Sequence, residues 1–349
     1  MAISIDELLH FVIESGASDL HIVVGFPPAC RLHGEIKPLN VPELTPQDTE
    51  EMMKSITSED KQQQLREVGS TDFGFAFGPT RFRVNVYRQK GFISIAMRTI
   101  PSRMLSLEEI GLPESVKNLL FLPRGLVLVT GPTGSGKTST LAAMIHFINQ
   151  NRPDHIITIE DPIEYYHPHG KCLVNQREVG TDTTTFGEAL RRALREDPDI
   201  ILVGEMRDLE TMEAAINAAE TGHLVFSTLH TTGAARTVDR IVGSFPTNQQ
   251  DQIRMQLAGN LRAVISQTLL PRCDRPGRVA AFEIMINNPA IAAKIRKNET
   301  FAITSDIQTG SKQGMITLDA HLVHLLRQGI IDMNQVMTKC QDAEGIMQL

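Results

Sequence analysis

Eight residues constrain this chain more than any others: Gly131-Pro-Thr-Gly-Ser-Gly136-Lys137-Thr138. They fit the pattern G-x-x-x-x-G-K-[ST]. An apolar run ending at Thr130 precedes them, and Leu141, Met144, Ile145 and Ile148 follow at helical spacing. A strand, a glycine-rich turn and a helix N-terminus in that order form a phosphate cradle. Glycines let backbone N–H groups turn inward, and the helix end adds partial positive charge. The segment Gly131, Pro132, Thr133, Gly134, Ser135, Gly136, Lys137, Thr138 and Ser139 is therefore the predicted nucleotide-binding loop. Lys137 is expected to reach the β- and γ-phosphates of ATP, and the Thr138 hydroxyl to ligate Mg²⁺. By chance the four fixed positions arise in about one chain in a hundred of this length.

Continuous apolar runs separated by helical patterns follow the loop. Leu126 to Val129, Ile156 to Ile159, Ile200 to Val203 and Leu224 to Leu229 read as strands. Helices are expected near Phe186 to Leu194 and from about Leu209 to Glu220. That alternation predicts a mainly parallel sheet covered on both faces. Near the end, Thr317 caps a helix that turns Leu318, Leu322, Leu325 and Leu326 inward, and Gly329 closes it.

The first hundred residues have a different pattern. Ile5, Leu8, Leu9, Val12 and Ile13 follow helical spacing up to Gly16. Short alternating runs come next: Leu20 to Val24, Phe73 to Phe77, Arg81 to Tyr87 and Phe92 to Met97. In the third, Phe82, Val84 and Val86 point one way while Arg81, Arg83 and Asn85 point the other. Between Leu39 and Gln64, Pro and Thr caps precede polar helical stretches. The expected organisation is an α+β domain over 1–98, a linker over 99–108 and an ATPase domain over 109–349. A length of 349 residues suits two domains with separate cores.

Composition narrows the class further. With 34 Lys+Arg against 41 Asp+Glu, the net charge of −7 argues against a broad nucleic-acid surface. Apolar residues at 41% are ordinary soluble usage, and no apolar run approaches the ~20 residues of a membrane helix. The opening Met1-Ala-Ile-Ser-Ile-Asp-Glu has no signal character, so a cytoplasmic chain is expected. Cys30, Cys172, Cys273 and Cys340 lie far apart without zinc-site spacing, and reduced thiols are expected.

Hydrolysis needs carboxylates as well as a phosphate cradle. Ile200 to Val203 leads through Gly204 to Glu205, the natural carboxylate near the metal. Ile156 to Ile159 leads to Glu160, Asp161 and Glu164. Both runs end where open α/β sheets bind ligands. Glu164 is assigned to orient and deprotonate the attacking water and Glu205 to hold Mg²⁺ through water; the exchanged assignment stays open. His223 and His230 bracket the run Leu224 to Leu229, too far apart to chelate one ion. His230, at the carboxyl end, is the candidate γ-phosphate sensor. Arg81, Arg83, Arg88 and Arg98 form a basic group in the first domain and are candidates to compensate phosphate charge.

The phosphate loop, Ile159-Glu-Asp-Pro-Ile-Glu164, Leu202-Val-Gly-Glu-Met-Arg-Asp208 and His223 to His230 stand in the order seen in secretion-superfamily ATPases. They resemble that family's Walker A motif, Asp box, Walker B motif and His box. Ala17-Ser-Asp-Leu-His21 and Arg278-Val-Ala-Ala-Phe-Glu283 are similar to it as well. Within the family the chain most resembles the type IV pilus retraction ATPases. The resemblance implies a PAS-like N-terminal domain, a RecA-like ATPase domain and a homohexameric ring. It also implies nucleotide between the domains, with first-domain arginines approaching the phosphates. The implied partner is the inner-membrane platform protein of the pilus machine, placing the chain at the cytoplasmic face of that membrane. One motif departs: where those ATPases carry Ala-Ile-Arg-Asn-Leu-Ile-Arg-Glu, this chain has Ala290-Ile-Ala-Ala-Lys-Ile-Arg-Lys297. That leaves the ATPase residues untouched and suits a main or an auxiliary retraction motor.

Three other readings compete. An assembly or secretion motor usually adds N-terminal domains and a CxxC…CxxC insertion, and neither is present. A RecA-like nucleic-acid motor conflicts with the net charge. A non-hydrolysing scaffold conflicts with the intact Lys137, Thr138, Glu164 and Glu205.

Overall fold

The computed structural model describes residues 3–32, 34–100 and 103–347. Met1 and Ala2 of the N-terminal segment, and Pro101 and Ser102 of the expected linker, lie outside the described residues. The chain divides into two compact units. One runs up to Arg103 and includes Pro162–Tyr165; the other comprises Met104–Asp161 and Tyr166–Leu349.

The first unit opens with α1 (Ile5–Ser15). The Ser4 hydroxyl accepts the Glu7 N–H while the Glu7 carboxylate accepts the Ser4 N–H, a reciprocal cap. Gly16, at φ 68°, ends the helix in a conformation that disfavours a side chain. Strands β1 (Asp19–Ile22), β2 (Ala29–Leu32) and β3 (Glu35–Pro38) follow. Next come α2 (Pro46–Ile56) and α3 (Glu59–Val68), then β4 (Ser70–Phe77), β5 (Thr80–Gln89) and β6 (Phe92–Ile100). The six strands form an antiparallel sheet in the order β3-β2-β1-β6-β5-β4. Leu8 and Leu9 of α1, Met52 and Met53 of α2 and Leu65 of α3 share a core with Phe82, Val84 and Val86. Strands β2 and β3 have only four residues each, and β3 is exposed throughout, so alternation carries no signal there. Strand β6 continues through Thr99 and Ile100, paired with Phe82 and Arg81, and takes two residues from the linker expected over 99–108.

The second unit begins with α4 (Leu107–Ile110), α5 (Glu114–Leu119), β7 (Gly125–Thr130) and α6 (Lys137–Asn151). Then follow β8 (His155–Glu160), β9 (Leu173–Glu178), α7 (Phe186–Ala193), β10 (Ile200–Val203), α8 (Leu209–Glu220) and β11 (Leu224–Leu229). After these come α9 (Ala234–Val242), α10 (Gln250–Asn260), β12 (Leu261–Pro271) and β13 (Arg278–Ile286). Five helices close the unit: α11 (Pro289–Arg296), α12 (Ile303–Thr309), α13 (Leu318–Arg327), α14 (Met333–Lys339) and α15 (Ala343–Met347). The sheet order is β13-β12-β7-β11-β10-β8-β9, parallel except for the β12–β13 pair.

Alternation along β7 explains the two covered faces. Leu126 and Leu128 pack with α7, α8, α9 and α10, whereas Val127 and Val129 pack with α5 and α6. At α13, the Thr317 hydroxyl accepts the Ala320 N–H, Leu322 and Leu325 are buried, and Gly329 follows at φ 70°. The fold is thus mixed α/β with a mainly parallel sheet and C-terminal helices. Among the described residues no helix is long and apolar enough to cross a membrane. All four cysteines are free thiols, with Cys30 and Cys172 buried.

Candidate active site

Parallel strands point all their carboxyl ends one way. The edge of the second unit's sheet therefore collects Thr130, Glu160, Val203 and Leu229 with the residues just after them. The backbone stitches that edge together: the Gly131 N–H donates to the Leu229 carbonyl and the Gly204 N–H to that of Ile159. Hydroxyls add to it. Ser227 donates to the Val203 carbonyl at 2.8 Å and Thr228 to that of Gly204 at 2.7 Å.

The phosphate loop has the backbone its glycines require. Gly131, Gly134 and Gly136 have φ of 143°, 77° and 89°. Gly136 then begins α6, whose first residue is Lys137. The Lys137 ammonium donates to the carbonyls of Gly131 (2.9 Å) and Pro132 (3.1 Å), so it lies over its own loop. Burial pulls its pKa below the ordinary lysine value, and the Glu205 charge opposes that shift.

Glu205 and His230 meet at the same edge. His230 Nε2 lies 3.3 Å from Glu205 Oε2, and its Nδ1 lies 3.4 Å from the Thr133 hydroxyl of the phosphate loop. One neutral tautomer satisfies both contacts: Nε2–H donates to the carboxylate while Nδ1 accepts from Thr133. The other Glu205 oxygen is ion-paired with Arg207, which raises the arginine pKa. His223 lies at the opposite end of β11, its Nδ1 3.0 Å from the Ala218 carbonyl. The two histidines are thus separated by a full strand. Glu160 is buried, and its carboxylate accepts from Thr158 (2.7 Å) and Gln176 (3.2 Å). Asp161 is exposed beside it. Glu164 lies on Pro162–Tyr165, the segment grouped with the first unit.

These groups suit a nucleotide with a hard cation. Ser135 Oγ and Thr130 Oγ1 are buried at the loop and meet no hydrogen-bond partner among the described residues. Thr138 and Ser139 supply hydroxyls in the first turn of α6. Among the described residues no cluster of three or more His, Cys, Asp or Glu could hold a metal by itself. Mg²⁺ accords with that, because it is commonly held by one or two carboxylates, waters and substrate phosphates.

In the first unit the four arginines separate. Arg83 stands opposite Arg98 across β5 and β6, Arg98 opposite Asp19 on β1, and Asp19 opposite Arg31 on β2. Arg98 Nε donates to Asp19 Oδ1 at 2.8 Å. Burial pushes the Asp19 carboxyl up, but the Ser18 hydroxyl and Arg98 bring it below its ordinary value. Arg81 is on the same face, its guanidinium lying over Gly74, where a Cβ would collide with it. Arg88 has the opposite parity. It lines a cavity of about 220 Å³ with Glu50, Lys54, Leu65, Arg66 and Phe92, on the helix-covered side of the sheet.

Gln267 belongs to this site and is missed by motif and periodicity alike. It is buried on β12, where its amide donates to the Ser135 carbonyl at 2.6 Å and accepts the Thr140 hydroxyl at 2.9 Å. The one signal is the polar run Ser266-Gln267-Thr268 between the apolar ends of a strand. Such a run has no intrinsic direction until the neighbouring strand is known.

Residues 1–338 match the profile of the family described as Type II/IV secretion system protein. The chain is 50% identical over 342 residues to the type IV pilus retraction ATPase PilT of Pseudomonas aeruginosa, covering 98% of this chain and 99% of that one. It is 48% identical over 320 residues to a twitching motility protein of Neisseria gonorrhoeae, covering 91% and 86% of the two chains. Its structure superposes on that of the pilus retraction motor PilT with bound ADP at a TM-score of 0.93 and 48% identity, covering 99% and 100% of the two. A family match over nearly the whole length, with the phosphate loop, Glu205 and His230 drawn to one sheet edge, makes this chain a member of the type II/IV secretion system protein family.

Proposed function

We propose that this chain is the motor ATPase of type IV pilus retraction, and through it of twitching motility. It hydrolyses ATP to ADP and phosphate and turns the cycle into domain motion. One observation carries the reading: the phosphate loop is linked through Thr133 and His230 to Glu205, in a chain half identical over nearly its full length to a pilus retraction ATPase.

The residues divide the work as follows. Inward N–H groups from Gly131 to Ser139 bind the phosphates, and Lys137 neutralises β/γ charge. Thr138, and Glu205 through water, would hold Mg²⁺, which would supply charge neutralisation to the phosphates. Both Glu205 oxygens are already engaged, by Arg207 and His230. Glu205 therefore suits a fixed charge better than a proton acceptor, which leaves Glu164 to orient and deprotonate water. His230, hydrogen-bonded to both Glu205 and the loop, reports γ-phosphate to the carboxylate.

The first unit supplies the remaining charge. The row Arg31, Arg83, Arg98 has one facing carboxylate, Asp19, so it keeps net positive charge. Arg81 adds to it, and Arg88 supports it from the other face of the sheet. In this reading the chain up to the end of β6 at Ile100 forms a PAS-like domain, the hinge lies between β6 and α4, and 109–349 form a RecA-like ATPase domain. Six copies form a ring at the cytoplasmic face of the inner membrane and displace the platform protein of the pilus machine.

The test is deletion of the gene with labelled pili followed in live cells. Pili that extend and do not retract, restored by the wild-type gene and not by Lys137→Ala, are expected. Normal retraction in the deletion strain, with another pilus step impaired, would replace retraction with that step.

A further inference from the structure

The conformation of a phosphate loop is not set by its glycines alone. Glycines permit inward N–H groups, but something must hold each peptide plane that way round. Gln267 makes contact at both ends of this loop. Its backbone carbonyl closes on the first glycine so tightly that a Cβ at Gly131 would come under 3.0 Å from it. Its side-chain nitrogen donates to the Ser135 carbonyl at 2.6 Å and would lie 3.2 Å from a Cβ at Gly136. Its side-chain oxygen accepts the Thr140 hydroxyl at 2.9 Å, in the first turn of α6. The residue is only 3% exposed, so water does not compete for these bonds.

The bond to Ser135 has a directional consequence. A trans peptide is planar, and its C=O and N–H point in opposite directions. The Ser135 carbonyl and the Gly136 N–H belong to one peptide. With the carbonyl drawn outward to Gln267, the Gly136 N–H is aimed into the loop, where it opens α6. The bond to Thr140 fixes the other end of the amide, so that nitrogen rather than oxygen faces Ser135.

We propose that Gln267 is a positioning residue for nucleotide binding, holding the Ser135–Gly136 peptide so that its N–H points at the phosphates. The proposal rests on the ATPase reading above. It deepens that reading by assigning loop geometry to β12, a strand outside all four family motifs.

The test uses the full chain and three variants. Gln267→Met keeps length and packing and removes both bonds. Gln267→Glu keeps the acceptor for Thr140 and sets a carboxylate against the Ser135 carbonyl. Thr140→Val leaves Gln267 intact and frees its far end. Affinity is read with a fluorescent ADP analogue, turnover by phosphate release, and folding by thermal melting without nucleotide. One mis-aimed donor to a charged phosphate is expected to weaken binding about tenfold in Gln267→Met. Gln267→Glu should be weaker still, with Thr140→Val between Gln267→Met and wild type. KM for ATP should rise by more than kcat falls, a split that general destabilisation does not produce. Wild-type affinity in Gln267→Met, or in Thr140→Val should the former not fold, would overturn the proposal while the ATPase reading stood. Failure of the wild-type chain to bind the ADP analogue would overturn the ATPase reading itself.

Discussion

Alanine substitution along the phosphate loop should be graded by the room and backbone at each glycine. Gly134 has φ 77° and nothing within 4 Å of the place a methyl would take, so Gly134→Ala meets only the left-handed strain, about 1 kcal/mol. Gly136, at φ 89°, adds a close approach of 3.2 Å to the Gln267 amide, which must shift slightly. Gly131 is the severe case. Its φ of 143° lies well beyond the left-handed helical well, and a Cβ there would press on the Gln267 backbone carbonyl and lie 2.7 Å from Ser135 Oγ. Backbone strain of about 1–3 kcal/mol and overpacking of about 1–3 kcal/mol put Gly131→Ala near 4 kcal/mol destabilised. At about 2–4 °C per kcal/mol for a domain of this size, that is a fall of about 8–16 °C in Tm. Gly134→Ala should lose about 3 °C. Thermal melting of the three variants with and without ADP is the assay. The nucleotide-induced rise in Tm should vanish in Gly131→Ala. Equal stability of Gly131→Ala and Gly134→Ala would refute the argument, since only the former collides with backbone.

Four further outcomes follow from the same geometry. Lys137→Ala should abolish turnover, and Glu205→Gln, by removing a fixed charge, should keep ATP binding while losing hydrolysis by about a hundredfold or more, with phosphate release and affinity measured separately; normal turnover in Glu205→Gln would remove its role. Arg83→Ala should lower turnover more than Arg88→Ala, because Arg88 faces α2 and α3 on the other side of the sheet; the reverse order in steady-state assays would place the charged face wrongly. Activity per subunit should rise with protein concentration as rings assemble, read as ATPase rate against light scattering; constant activity in monomeric fractions would show that each chain completes its own site. Burial and the neighbouring His324 push His321 from 6.5 down to about 4, and its Nδ1 accepts the Phe282 N–H at 2.9 Å. The unfolded chain therefore takes up that proton more readily than the folded one, and stability present above pH 6.5 should fall by about 3 kcal/mol as pH drops to 4. Denaturation across that range should show a shallower loss in His321→Gln.

Sequence alone determined the parts of this protein that depend on local order. Gly131 and Gly136 carry the φ values that favour glycine, and that requirement is visible in the spacing of the loop. Strands β10 and β11 were legible to the residue, and helix α8 approximately, from apolar runs and their breaks. The carboxylate after Val203 and the histidine after Leu229 could be placed at one edge, because parallel strands share a direction. Even the separation of Arg88 from Arg81 and Arg83 was present in the parity of β5, though nearness in sequence grouped them together.

Pairing between distant segments was decided only by the tertiary structure. That Arg83, Arg98, Asp19 and Arg31 form one row depends on the register of three strand pairs. That His230 bridges Thr133 and Glu205 depends on β11 lying between β7 and β10. Gln267 reaches the phosphate loop because β12 is inserted beside β7, more than a hundred residues from it in sequence. Periodicity reports which face of an element is buried. It carries no record of which element lies alongside, because that choice is made by the summed packing of both sheet faces.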